Sequence, residues 1–81
     1  MINVLFFAQT RELVGTGSIT VTRDYATVDE LRAVLAAKGD RWSLALESGK
    51  VLSAVNQTLV SPQHALKAGD EVAFFPPVTG G

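Results

Sequence analysis

The chain contains no cysteine. That absence removes disulfides, thiolate metal sites and a cysteine nucleophile together, and leaves the redox compartment unmarked. It has a single histidine, His64, set between Gln63 and Ala65 with no clustered acid beside it, which reads as a surface-loop residue rather than a ligand or a base. Charge is scarce and balanced. Seven Lys and Arg stand against eight Asp and Glu, a formal net charge of -1, and no run of like sign concentrates it. Nucleic acid and anionic membranes are therefore not expected as partners. Long apolar runs are missing too: Val4 to Ala8 is too short for a membrane span and has no basic lead, so it is no signal peptide. A cytoplasmic protein is the expectation. Gly15-Thr16-Gly17 lacks the lysine of a phosphate loop and reads as turn chemistry. Glu47 with Glu71, or Asp24 with Asp29, can be drawn as acid pairs, yet solvated or capping carboxylates explain them better. Trp42 reads as a lid on the core. No metal site, permanently bound cofactor or self-contained active site emerges.

What is present suffices for one small folded unit. At 81 residues, 47% of them hydrophobic and 19% charged, the chain has the apolar content to fold and lacks the signature of disorder. Residues 2 to 8 combine β-branched and aromatic side chains in a strand-length run, and Asn3 marks the outward face, so Ile2, Val4 and Phe6 should point to the core. Gln9 to Val14 suggests a short helical turn ending at Gly15. Ser18 to Thr22 alternates with period two, a half-buried strand expected to pair with the first as a hairpin. Thr27-Val28-Asp29-Glu30 is a capping box, with Glu30 reaching back to Thr27. The helix it opens should bury Val28, Leu31, Val34 and Leu35 and stop at a left-handed Gly39. Asp40 should cap a second short turn through Trp42 and Leu46, followed by a turn at Glu47 to Lys50. Val51 to Val55, Thr58 to Val60 and Glu71 to Phe75 complete a ββαβββ order, broken by the turn Asn56-Gln57 and the loop ending Lys67 to Asp70. This is an α+β chain whose order suits a ubiquitin-like β-grasp: a mixed sheet of about five strands, one main helix and short helical turns. Ferredoxin-like and other α+β folds use similar pieces.

The ends separate these alternatives. Residues 1–75 read as the folded domain and 76–81 as an extended tail. Pro76 and Pro77 stop the last strand, because proline has no N–H for the ladder. Six residues from Pro76 onward reach roughly 20 Å when extended. Gly80 and Gly81 carry no side chains and can thread a channel too narrow for other residues. The terminal carboxylate is ionised at neutral pH. It can attack the α-phosphate of ATP presented by an enzyme, and the acyl-adenylate so formed lets a persulfide or thiol displace AMP. A Gly-Gly ending arises by chance about once in two hundred chains, so it is suggestive only.

Val4-Leu5-Phe6-Phe7-Ala8 with Arg11-Glu12-Leu13-Val14-Gly15, then Val55-Asn56-Gln57, and finally Gly69 to Phe75 running into Pro76-Pro77-Val78-Thr79-Gly80-Gly81 resemble the small subunits of molybdopterin synthases, sulfur carriers of the ubiquitin-like β-grasp type. The resemblance runs end to end, though residues 16 to 54 carry little of it. It implies adenylation of Gly81 by an E1-like enzyme that consumes ATP, then conversion to a thiocarboxylate with sulfur from a sulfurtransferase or persulfide donor. It also implies insertion of the tail, with Gly80 as its narrow neck, into the synthase large subunit. Sulfur would there pass to cyclic pyranopterin monophosphate to build the dithiolene of molybdopterin, within a heterotetramer of two small and two large subunits. The same fold also serves sulfur carriage for thiamine thiazole synthesis and conjugation to protein lysines, and a β-grasp interaction domain with an inert tail is a third possibility.

The partner surface follows from alternation. With Asn3 and Glu71 outward, Leu5 and Phe7 face outward on the first strand, and Ala73 and Phe75 on the last. Phe7 and Phe75 then lie side by side at the root of the tail, with Leu59 as a third apolar member, unless either ring bends back into the core. Arg11, on the first loop beside them, offers a charge to an acidic partner group, and Pro76, Pro77, Val78 and Thr79 continue the contact.

Overall fold

The computed structural model describes residues 1–77. In order it contains β1 (Ile2–Phe6), α1 (Ala8–Val14), β2 (Ser18–Val21), α2 (Val28–Ala36), α3 (Asp40–Ala45), β3 (Leu52–Val55), β4 (Thr58–Val60) and β5 (Glu71–Phe75). The strands form a single five-stranded sheet in the order β2-β1-β5-β3-β4. β5 is central: it runs parallel to β1 and antiparallel to β3. β1 and β2 form the expected antiparallel hairpin, with Val4 opposite Ile19.

Alternation places Ile2, Val4 and Phe6 on the helix side of the sheet, and all three are buried. Val72 and Phe74 join them from β5, Val55 from β3, and Val28, Leu31 and Leu35 from α2. Phe6 ties the layers together. Its ring stacks on Phe74 at 6.3 Å between centroids and meets Trp42 of α3 edge-on at 5.5 Å, both favourable aromatic geometries. Trp42 is thus the lid on the core, with the Lys38 Nζ 5.3 Å above its ring.

α2 begins at its expected cap. The Thr27 hydroxyl accepts from the Glu30 N–H at 3.2 Å, but the Glu30 carboxylate accepts from the Ala26 N–H, at 3.5 Å, instead of returning to Thr27. The loop before β5 satisfies further donors at this end: the Val28 and Asp29 N–H groups donate to the His64 and Pro62 carbonyls at 3.0 and 2.8 Å. Three further expectations fail here. Val34 is 45% exposed, because it lies about 90° around the helix from the centre of the arc that carries Val28, Leu31 and Leu35. Gly39 is no left-handed stop: its φ is 167°, extended, and the helix closes earlier through a tightened Lys38 N–H to Leu35 carbonyl bond of 3.1 Å. Asp40 does not cap α3 but is its first helical residue, with Gly39 in the cap position and the Gly39 carbonyl accepting from the Ser43 N–H.

The start of β5 is clamped by side chains. The Asn56 carbonyl oxygen accepts from the Glu71 N–H at 3.1 Å, while its amide nitrogen donates to Asp70 at 3.1 Å. The other Asp70 oxygen accepts from the Lys67 N–H at 2.8 Å. Asp70 is buried, and its carboxyl is held below the ordinary Asp range, first by the Lys67 backbone donor and then by Asn56.

Two outcomes follow for stability. Phe74→Ala should cost about 3–5 kcal/mol, read by urea titration. A carboxyl whose native pKa lies below the unfolded value of about 3.9 stabilises the fold above that pH and loses its contribution as pH falls through the native value. Asp70→Asn should therefore melt lower than the parent at neutral pH, and the gap should narrow in melts repeated at about pH 2.5.

Candidate functional site

All three helices lie on one side of the sheet, and the other face is open. Pairing arranges its side chains in rows. Nearest the start of β5, Thr20, Asn3 and Glu71 make a polar row, with the Thr20 hydroxyl donating to the Asn3 side-chain oxygen at 3.2 Å. The next row runs Leu5, Ala73, Ala54, Leu59 across four strands. The last, nearest the tail, holds Phe75 beside Leu52, with Phe7 continuing the β1 alternation in extended conformation. The face thus grades from polar to apolar toward the point where the chain leaves the sheet.

Phe7 and Phe75 line one shallow groove of about 390 Å³, floored by Leu5, Ala54 and Ala73. Phe7 is half exposed, and its N–H donates to the Phe74 carbonyl at 3.2 Å. That bond extends the β1–β5 ladder by one residue and carries the two aromatics to the same edge. Leu59 is 66% exposed and shares the row of Ala54 on the same face. Neither aromatic turns into the core. A contiguous apolar patch on an otherwise polar surface is what a partner needs to gain from desolvation.

Beyond Phe75 the chain passes between α1 and α3. Pro76 and Pro77 line a small cleft with Thr10 and Leu13 of α1 and with Leu44 and Ala45 of α3. The root of the tail is therefore seated on a helix pair and emerges from the central strand. Val78, Thr79, Gly80 and Gly81 lie outside the described residues. Arg11 lies on α1, within the helical turn expected over Gln9 to Val14, and departs from its expected place beside the aromatics on a loop. Its guanidinium lies over Gly17, 3.1 Å from where a Cβ there would sit. It lines a separate hollow with Gln9, Glu12 and Gly15 instead of the aromatic groove. Among the described residues no group of three or more His, Cys, Asp or Glu could hold a metal, and no helix is long and apolar enough to cross a membrane. His64 is exposed in its loop, and Asp29 and Glu47 pair with Arg32 and Lys50.

Two parts of the site were not reached from the sequence. Ala54 and Leu52 enter the open face through the β3–β5 pairing, a neighbour relation that alternation within one strand cannot supply. Gln57 lines the groove from the β3–β4 turn. Asn56 and Gln57 were both legible as the turn, but nothing local announces the link of Asn56 to Asp70 or the place of Gln57 at the groove.

Hairpin, crossing helix and a central strand parallel to the first define a ubiquitin-like β-grasp protein. A family model described as the ThiS family matches residues 4–81. The chain belongs to the ThiS family. Over the full length of both chains it is 68% identical to the molybdopterin synthase sulfur carrier subunit of Escherichia coli (strain K12). It is 62% identical over the same extent to that of Haemophilus influenzae (strain ATCC 51907 / DSM 11121 / KW20 / Rd). In a solved complex of subunits 1 and 2 of molybdopterin-converting factor from Helicobacter pylori 26695, one chain shares the fold with a TM-score of 0.67 at 28% identity, covering 99% of this chain and 97% of that one. The resemblance read from the two ends of the sequence therefore holds across the whole chain.

Because Phe7 projects from the fold, Phe7→Ser should leave the melting temperature within a few degrees of the parent and should reduce retention of an uncharged apolar dye by the open face. Phe6→Ser, one residue away and buried, should unfold the domain.

Proposed function

We propose that this chain is the sulfur carrier subunit of a molybdopterin synthase. Full-length identity of 68% to a protein of that name supports the reading most directly. The chemistry begins at Gly81. One oxygen of its carboxylate attacks the α-phosphorus of ATP on an E1-like enzyme, pyrophosphate leaves, and the carbonyl carbon becomes electrophilic as a mixed anhydride. A persulfide from a sulfurtransferase then displaces AMP. The acyl disulfide so formed releases the thiocarboxylate when a second thiol cleaves its S–S bond.

The domain supplies position. The central strand fixes where the tail starts, Pro76 and Pro77 keep it from re-entering the sheet, and Gly80 lets the terminal group pass a narrow channel. Phe7, Leu59 and Phe75 give the large subunit an apolar surface beside that channel, with Pro76 through Thr79 bridging the surface and the reacting end. There the thiocarboxylate sulfur passes to cyclic pyranopterin monophosphate, two deliveries complete the dithiolene, and hydrolysis returns the Gly81 carboxylate. Two small subunits flank two large ones in a cytoplasmic heterotetramer. The chain needs no bound cofactor of its own, and Arg11 remains available for a charged contact away from the groove.

Incubation with the cognate activating enzyme, ATP and a sulfur donor should raise the intact mass by the difference between sulfur and oxygen, and deletion of Gly81 should abolish that rise. An unchanged mass under conditions that charge another carrier would sink the proposal. Recovery of a thiazole synthase or of lysine adducts from cell extract, in place of the large subunit, would move the chain to thiamine synthesis or to protein modification.

A further inference from the structure

Three side-chain-bearing residues among those described have left-handed backbone angles: Ala8 with φ 52°, Asn56 with φ 50° and Gln57 with φ 70°. Such angles cost a residue with a Cβ and persist only where something compensates. Asn56 is compensated within the fold. Asparagine tolerates the left-handed region, and its side chain makes both bonds of the clamp to Glu71 and Asp70. Gln57 is different. It is the second residue of a two-residue hairpin turn with positive φ at both positions, where glycine is the default. It is exposed, and among the described residues its amide makes no hydrogen bond. Nothing internal offsets its strain.

Its position is not incidental. Gln57 lines the apolar groove of Phe7 and Phe75, and it also borders the neighbouring polar hollow formed with Asn3, Asn56 and Glu71. Ala8, the third such residue, opens α1 and lines the separate hollow of Arg11. Gln57 is thus the one of the three whose strain lies at the groove and is not offset by a side-chain bond.

We infer that Gln57 is a specificity-determining contact of this face. Its side-chain amide meets a peptide or amide group of the large subunit, donating through nitrogen and accepting through oxygen where the apolar groove gives way to polar surface. A glutamine amide offers both functions at once, so a partner presenting only apolar surface here would leave them unsatisfied and be discriminated against. The inference rests on the docking reading of the groove proposed above.

The test measures binding of the purified cognate large subunit by calorimetry, together with melting temperature, for the parent, Gln57→Gly, Gln57→Asn and Phe7→Ser. Gln57→Gly should melt at or above the parent, since glycine adopts the left-handed angle without a Cβ clash. It should nevertheless bind about five- to tenfold more weakly. Gln57→Asn keeps a residue suited to the turn but draws the amide back by one methylene, and should bind as weakly as the glycine variant. Parent-like affinity in either Gln57 variant, with Phe7→Ser still weakened, would overturn the inference and leave the groove reading standing. So would a lower melting temperature for Gln57→Gly, which would make the residue structural. Parent-like affinity in Phe7→Ser would instead remove the groove reading itself.

Discussion

Strand β5 lies between a parallel neighbour and an antiparallel one, with Phe74 level with Phe6 on one side and Ser53 on the other. Register in a sheet is a two-valued choice, because a slip of one residue sends every side chain to the opposite face. Here both outcomes would be ruinous: Phe74 would leave the core, and Phe75 would leave the surface. The register is held from the far end. Asn56 grips Glu71 and Asp70, Asp70 grips the Lys67 backbone, and the Asn3 N–H donates to the Asp70 carbonyl at 3.1 Å. A handful of polar bonds at the start of the strand therefore decides where its last aromatic points.

The two faces of the sheet divide the work. The helix side contains the largest buried side chains, Phe6 and Phe74 among them, and supplies the stability of a small domain with little core to spare. The open side contributes little to folding and keeps exposed apolar area that a monomer would otherwise shed. That arrangement risks self-association at strand edges, and both edges are short: four residues in β2 and three in β4. The aromatic surface sits over the central strands, away from those edges, so the apolar area and the exposed backbone are kept apart.

Much of this was legible one residue at a time. Period-two alternation put Ile2, Val4 and Phe6 inside and Phe7 and Phe75 outside, because a strand's two faces are a local property. Thr27 announced α2 because a cap acts over three residues. The failures are also physical. Val34 sits at the margin of the apolar arc, where spacing of three and four cannot tell a buried side chain from a half-solvated one. Gly39 and Asp40 were misassigned because a short tightened turn ends a helix as well as a glycine does. The short helix over Gln9 to Val14 was legible, but which way Arg11 points from it was not, because a seven-residue helix leaves a weak periodic signal. Gln57 depends on which strand pairs with which, and the asparagine clamp joins residues 14 apart in sequence. Such relations exist only after folding.

The central placement of β5 has a mechanical consequence. A load on the chain beyond Phe75 passes first into the strand it continues, and that strand has a neighbour on each side. Bonds to β1 and β3 are then loaded in parallel, on both sides at once, and no single one can yield ahead of the rest. An edge strand under the same load would share it with one neighbour only. The junction at Phe75 is thus anchored on both sides of the middle of the sheet.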